Sequence, residues 1–138
     1  MSLKIAVVGV GRWGRNHVRV LKKLLNMGEI DELILVDTNP ATLKKIAKEY
    51  KIQKTYRNIN EMKNREKPDA AIIAVPTPLH YRVATSLLNS TDLLIEKPIA
   101  VNIEEALEIV KLAEKEERVV AVGHIERFNP AITTLRER

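Results

Sequence analysis

The sequence predicts an α/β fold, with a doubly wound, mainly parallel sheet of six strands and helices on both faces. Apolar segments typical of strands alternate with amphipathic helical segments along the whole chain, which is the pattern of βαβ units. The connections are short, and a glycine-rich turn joins the first strand to the first helix. With right-handed crossovers, these features predict the strand order 3-2-1-4-5-6 in a single domain, residues 1–138.

The six predicted strands are apolar and rich in β-branched residues. The fourth is apolar on both faces, as expected of a buried parallel strand, and the third is short enough to be an edge strand. In chain order the predicted strands cover residues 3–8, 32–37, 53–56, 69–75, 92–96 and 119–123.

The helices are predicted from capping residues and apolar stripes, and in chain order they cover approximately residues 12–25, 40–50, a small helix from residue 58 onward, 78–89, 102–117 and 130–138. The first has the glycine Gly28 as its end signal. The last reaches Arg138 without a C-cap signal, as though more protein normally follows. In the fifth we expect an inner face formed by Ile103, Leu107, Val110 and Ala113.

The turn after the first strand has the spacing G-x-G-x-x-G, formed by Gly9, Gly11 and Gly14. Gly9 allows a tight turn, Gly11 lets the backbone approach a pyrophosphate, and Gly14 lets the next helix pack against the strand. The N–H groups at the start of that helix would bind phosphate oxygens, with Arg12 and Arg15 adding positive charge. The turn therefore predicts a dinucleotide-binding Rossmann fold.

Asp37 closes the second predicted strand, where an acidic side chain can accept hydrogen bonds from the adenine ribose hydroxyls. A 2′-phosphate at this place would meet a carboxylate, and the next residues, Thr38 and Asn39, provide no guanidinium. The sequence therefore predicts NAD, with NADP less favoured.

The composition excludes several other classes of function. No apolar run approaches the roughly 20 residues of a membrane span, so we predict no membrane partner. The net charge of +5 comes from lysines spread among acidic residues, and few aromatic side chains are available for stacking, so we predict no nucleic-acid partner. The lack of cysteine and of a secretory signal makes a cytoplasmic location the default. The three histidines lack the spacing of a metal site, so we predict no metal.

Ligands of such sheets bind beyond the carboxyl ends of the strands. The polar segments at these ends should therefore meet in one crevice; they are residues 9–14, 37, 75–80, 96–98 and 123–127.

The segments GVGRWG, AVPTPLH, EKPIA and VGHIERFNP, in this order and spacing, resemble the NAD(P)-binding half of the glucose–fructose oxidoreductase/inositol dehydrogenase (Gfo/Idh/MocA) family. The resemblance covers the whole chain, and Glu96-Lys97-Pro98 after the fifth strand is its most specific part. Trp13 in the glycine turn and the segment from Gly123 onward are most similar to nucleotide-sugar 3-dehydrogenases.

The resemblance implies that Lys97 lies beside the nicotinamide and the substrate hydroxyl, where it would assist proton removal as the catalytic residue. Glu96 would orient this loop. The peptide bond before Pro98 can be cis, although trans is the commoner form.

The resemblance also implies that Pro76, Thr77 and His80 line the cofactor pocket. For His80 a neutral packing role is equally open, because the helix dipole at its position disfavours protonation. His17, one turn into the first helix, is expected to be structural. Contact with substrate and anchoring of the last segment both remain open for His124 and Arg127.

Family members continue into a second domain, so the resemblance implies hydride transfer between NAD(P) and a sugar, polyol or nucleotide sugar only in a longer protein. These 138 residues should bind the dinucleotide with little turnover, and an exposed apolar face would allow a homo-oligomer. A non-enzymatic NAD(H)-binding module remains the competing interpretation. An S-adenosylmethionine site is disfavoured, because that ligand has no pyrophosphate for the glycine turn.

Overall fold

The computed structural model describes residues 2–137 and contains one sheet of six strands. The strands are β1 (Lys4–Val8), β2 (Glu32–Val36), β3 (Thr55–Tyr56), β4 (Ala70–Ile73), β5 (Asp92–Ile95) and β6 (Val120–Val122). They are arranged in the order β3-β2-β1-β4-β5-β6, and all five pairings are parallel. The predicted strand order and fold class are confirmed, although β2, β4, β5 and β6 end one or two residues earlier than predicted.

The helices are α1 (Gly14–Met27), α2 (Pro40–Tyr50), α3 (Ile59–Glu66), α4 (His80–Leu87), α5 (Ile103–Lys115) and α6 (Pro130–Arg136). Asparagine side chains cap four of them by accepting hydrogen bonds from first-turn N–H groups, and Gly28 ends α1 with a positive φ of 76°. The helix predicted from residue 78 begins instead with a short 3₁₀ turn, Thr77–Leu79. The predicted end at Arg138 lies outside the described residues.

Two apolar clusters lie on opposite faces of the sheet, because successive strand residues point to opposite sides. Val7 belongs to the cluster that α1 and α2 cover, whereas Val8 belongs to the cluster that α3, α4 and α5 cover. Helices therefore pack on both faces, as predicted. None of the helices within residues 2–137 combines the length and the apolar character that a bilayer crossing requires.

The predicted inner face of α5 is wrong at three of its four positions. Ile103, Leu107 and Val110 are 68%, 50% and 44% exposed, whereas Ile109 and Ala113 are buried. The helix carries a second apolar stripe, one that includes Ile109 and Ala113, and this stripe packs on the sheet. Ile103, Leu107 and Val110 therefore form an exposed apolar stripe on the outer face of α5.

Backbone hydrogen bonds extend the parallel pairing one residue past the strands, which brings the predicted strand-end segments side by side. Gly9 donates to Val36, Ala74 to Val8, Glu96 to Ile73 and Gly123 to Ile95, over 2.8, 2.8, 3.0 and 2.8 Å.

Candidate functional site

The glycine turn is packed so tightly that two of its glycines admit no side chain. Gly9 has a φ of 88°, and a Cβ on it would lie 2.7 Å from the carbonyl oxygen of Ala74. A Cβ on Gly14 would lie 1.7 Å from the carbonyl oxygen of Gly9. Both contacts would be with backbone atoms, which cannot move aside. The absence of side chains at these two glycines therefore allows β1, β4 and α1 to pack closely.

Gly11 differs, because a Cβ built on it meets nothing within 4 Å. The protein's own packing therefore does not explain this glycine, whereas a ligand lying close to the backbone would. Within residues 2–137, the backbone N–H groups of Gly11, Arg12 and Trp13 donate no hydrogen bond. Three unused donors at the start of α1 fit a pyrophosphate group.

Beside this turn lies a groove of about 680 Å³ at the carboxyl ends of β1, β2, β3 and β4. Five of the predicted cofactor residues line it, namely Gly9, Gly11, Arg12, Asp37 and Pro76. Trp13, on the same turn, is 46% exposed. Arg15 does not line the groove and instead forms an ion pair with Glu49 of α2 at 2.5 Å, which differs from the expectation that it adds charge at the turn.

The Asp37 carboxylate joins the end of β2 to the glycine turn. Its Oδ2 accepts a hydrogen bond from the N–H of Val10 at 3.0 Å, and its Oδ1 accepts one from the N–H of Asn39 at 2.8 Å. Each carboxylate oxygen can accept a second hydrogen bond, so ribose hydroxyls remain possible partners. The predicted ribose contact stays a prediction.

Sequence reasoning missed Arg57, Asn58 and Arg82, which also line the groove. The N–H of Asp37 donates to the carbonyl of Tyr56 at 3.1 Å, so Arg57 follows directly on the strand beside Asp37. A guanidinium is therefore present where the residues after Asp37 suggested none. The sequence contains a signal for two of these residues, because Arg57 and Asn58 follow the third predicted strand, and ligands bind beyond the carboxyl ends of such strands.

The Glu96-Lys97-Pro98 turn follows β5, two strands away from the glycine turn. Glu96 is 7% exposed, and its Oε1 lies 2.5 Å from Nε2 of His17, which is the structural contact of that histidine. Lys97 is exposed, and its ammonium makes no hydrogen bond or ion pair with any residue from 2 to 137. The Lys97–Pro98 peptide bond is cis.

The remaining predicted residues lie at different depths. Thr77 opens the 3₁₀ turn before α4 and does not line the groove, and neither does His80, which is 1% exposed. Nδ1 of His80 lies 2.9 Å from the carbonyl oxygen of Pro98, and Nε2 lies 2.8 Å from that of Val75. His124 and Arg127 are exposed in the segment after β6.

A sequence model of the GFO_IDH_MocA oxidoreductase family, described as an NAD-binding Rossmann fold, matches residues 3–124. Among curated proteins, the chain is 29% identical to the UDP-N-acetylglucosamine 3-dehydrogenase of Acidithiobacillus ferrooxidans, over 99% of this chain and 42% of that protein. It is also 29% identical to an inositol 2-dehydrogenase of Corynebacterium glutamicum, over 99% of this chain and 40% of that one.

Among solved structures, the WlbA dehydrogenase of Chromobacterium violaceum, determined with NADH and UDP-GlcNAcA, superposes with a TM-score of 0.89. The identity is 28%, and the match covers 99% of this chain and 39% of that chain. The chain thus spans about two fifths of the length of these relatives. The family resemblance read from the motifs is confirmed.

Proposed function

Because the chain belongs to the Gfo/Idh/MocA oxidoreductase family and carries its NAD-binding Rossmann fold, we propose that it is the cofactor half of a dehydrogenase. The reaction is hydride transfer between NAD and a CH–OH group of a sugar, polyol or nucleotide sugar. The observation that carries the proposal is the glycine turn, where unused N–H donors surround the open position of Gly11. No feature of the protein's own packing accounts for that arrangement.

In the proposed complex, the N–H groups of Gly11, Arg12 and Trp13 hold the pyrophosphate, and the Arg12 guanidinium adds charge from the groove wall. Asp37 accepts hydrogen bonds from the adenine ribose hydroxyls, which favours NAD over NADP. Pro76, Thr77 and His80 support the nicotinamide end.

We assign proton transfer to Lys97. NAD supplies the hydride acceptor when it is bound, and the hydroxyl proton passes to the Lys97 amine, which must be neutral at that moment. The exposure of Lys97 at a strand end, without a partner in the described part of the chain, leaves its side-chain nitrogen available for this role. Glu96 orients the turn and takes no part in proton transfer.

The substrate class rests on the relatives, whose names specify UDP-N-acetylglucosamine and inositol. Both compounds present ring CH–OH groups, so the shared chemistry is oxidation of a secondary alcohol on a polyhydroxylated ring.

Titration calorimetry of the chain with NADH, with S-adenosylmethionine as the comparison ligand, tests the cofactor half of the proposal. We expect saturable binding of NADH alone. A sample that is folded by circular dichroism and binds neither ligand would contradict the proposal.

The catalytic half is tested in the protein that carries this chain, with sugars, polyols and nucleotide sugars as substrates. Lys97→Met should lower kcat/KM at least about 100-fold, while the exposed lysine variant Lys111→Met serves as the matched control. Binding of NADH without hydride transfer to any of these compounds would instead favour a non-enzymatic NAD(H)-binding module.

We also propose that the exposed apolar stripe of α5, formed by Ile103, Leu107 and Val110, supports association between copies of this chain. Sedimentation should show a concentration-dependent dimer that Leu107→Lys abolishes. A monomer at all concentrations would count against association.

A further inference from the structure

We propose that His80 is a positioning residue that carries both ring protons and holds the Lys97–Pro98 turn against the end of β4. The importance of this turn for catalysis rests on the proposed function of Lys97. The contacts of the ring, and the protons they require, do not rest on it.

The ring of His80 lies between two carbonyl groups from different loops. Nδ1 is 2.9 Å from the carbonyl oxygen of Pro98, and Nε2 is 2.8 Å from that of Val75. Both distances are those of N–H···O hydrogen bonds, and a carbonyl oxygen can only accept. Among residues 2–137, neither carbonyl accepts a hydrogen bond from a backbone N–H.

A neutral imidazole has one N–H, so it can satisfy only one of these two carbonyls. Its other nitrogen would then present a lone pair to an oxygen at hydrogen-bond distance. Because His80 is 1% exposed, water cannot replace the missing hydrogen bond. Protons on both nitrogens remove this conflict and turn both contacts into charge-assisted hydrogen bonds.

The position of His80 at the first residue of α4 opposes a positive charge, since the N-terminus of a helix is the positive end of its dipole. Burial disfavours the charge as well, whereas hydrogen bonds from both ring N–H groups to carbonyl oxygens favour it. In the described part of the chain, the hydrogen-bond partners of the ring are the carbonyls of Pro98 and Val75, and no charged side chain forms a hydrogen bond or ion pair with it.

The consequence is a connection between the groove and the lysine turn. Val75 lines the groove, and Pro98 directly follows Lys97. On the other side of Lys97, the Glu96 carboxylate is held by His17. Lys97 therefore sits between two residues that are each fixed by a histidine, one from α1 and one from α4.

The test is nitrogen-15 NMR of the imidazole rings in the unliganded chain at pH 7, with one-bond couplings to hydrogen as the readout. The chain has only three histidines, and the variants His17→Gln and His124→Gln assign the remaining signals to His80. We expect both nitrogens of His80 to carry a hydrogen that exchanges slowly with solvent. A neutral ring with a single N–H would overturn the proposal.

A second measurement compares His80→Gln with the control His124→Gln, both followed through the backbone resonances of Lys97. Glutamine has only one donor group, so it cannot hold both carbonyls, and we expect the Lys97 resonances to shift or broaden in His80→Gln alone. Unchanged Lys97 resonances would refute the positioning role. The ring measurement needs no substitution at His80 and no cofactor, so it decides the protonation even if the variant does not fold or the chain binds no NADH.

Discussion

The Nε2 atom of His17 lies 2.5 Å from Oε1 of Glu96, and this contact joins helix α1 to the strand end that carries Lys97. The Glu96 carboxylate is buried, so it needs a polar partner inside the protein. On its other side, a Cβ on Gly123 would lie 3.0 Å from Oε2. The chain after β6 therefore reaches the same carboxylate because Gly123 has no side chain, and three segments of the site meet at one group.

Replacing His17 with alanine should lower the free energy of unfolding by about 1–3 kcal/mol, because it leaves a buried carboxylate oxygen without its partner. Urea denaturation followed by circular dichroism measures the change. His124→Ala is the matched control, since His124 is exposed and its loss should cost no more than about 0.5 kcal/mol. Equal effects of the two substitutions would show that the contact with Glu96 contributes nothing.

Cofactor preference should depend on Asp37 and Arg57 together, because both line the groove beside the glycine turn. Asp37→Asn removes the negative charge but keeps one oxygen for the glycine turn. We expect the ratio of NADPH to NADH affinity to rise about tenfold, or about 1.4 kcal/mol, because a 2′-phosphate no longer meets the Asp37 charge and the Arg57 guanidinium can bind it. Calorimetric Kd values for the two cofactors measure it.

The control for this prediction is the double variant that adds Arg57→Ala to Asp37→Asn. Relative to Asp37→Asn, the double variant should lose the gain in NADPH affinity, whereas its NADH affinity should change little. A gain that persists without Arg57 would mean that another group binds the phosphate.

Stability should fall in acid partly through Glu66, which is 11% exposed. Lys54 donates to its carboxylate at 2.8 Å and Tyr56 donates from its hydroxyl; these hydrogen bonds, that of Lys54 first, hold the pKa of Glu66 below its ordinary value. The folded pKa is depressed, so this contribution is present above the unfolded pKa and is lost as the pH falls through the folded pKa.

Urea denaturation from pH 6 downward measures this effect. In Glu66→Gln, the free energy of unfolding should be lower at pH 6 and should decline less steeply in acid. Glu61→Gln on the same helix is the control, because Glu61 and its partner Arg65 are largely exposed and contribute little. Identical pH profiles for Glu66→Gln and the unsubstituted chain would contradict the prediction.

Lys51 ends α2 in the left-handed region, with a φ of 54°, which an L-residue adopts at a cost. Lys51→Gly should therefore raise the free energy of unfolding by about 0.5–1 kcal/mol. Lys45→Gly, at an exposed position inside the same helix, should lower it by about 1 kcal/mol. Thermal denaturation of both variants checks the opposite signs, and a loss in both would refute the C-cap argument.

The features that the sequence predicted correctly are local ones. Strand order follows from alternating segments and the glycine turn, and the NAD-binding motif needs only the spacing of Gly9, Gly11 and Gly14. Each strand, helix or turn signal is contained in a short continuous segment, so no knowledge of packing is needed to recognise it.

The features that the sequence did not give depend on packing between distant segments. His17 and Glu96 are 79 residues apart, and no sequence pattern near either residue indicates their contact. The helix α5 offers two apolar stripes, and only the sheet decides which one is buried. Arg57 is within reach of sequence reasoning, because it follows a predicted strand whose carboxyl end lies at the same edge of the sheet as the glycine turn.

The most direct test of the central claim, that the open glycine turn binds NAD, is NADH titration of Gly11→Val beside the unsubstituted chain. A Cβ at position 11 meets no protein atom within 4 Å, so we expect the substitution to leave the thermal stability nearly unchanged. It should nevertheless weaken NADH binding at least about tenfold, or about 1.4 kcal/mol, because the side chain occupies the space of the pyrophosphate. Undiminished NADH affinity in a folded Gly11→Val chain would place the cofactor elsewhere and contradict the account.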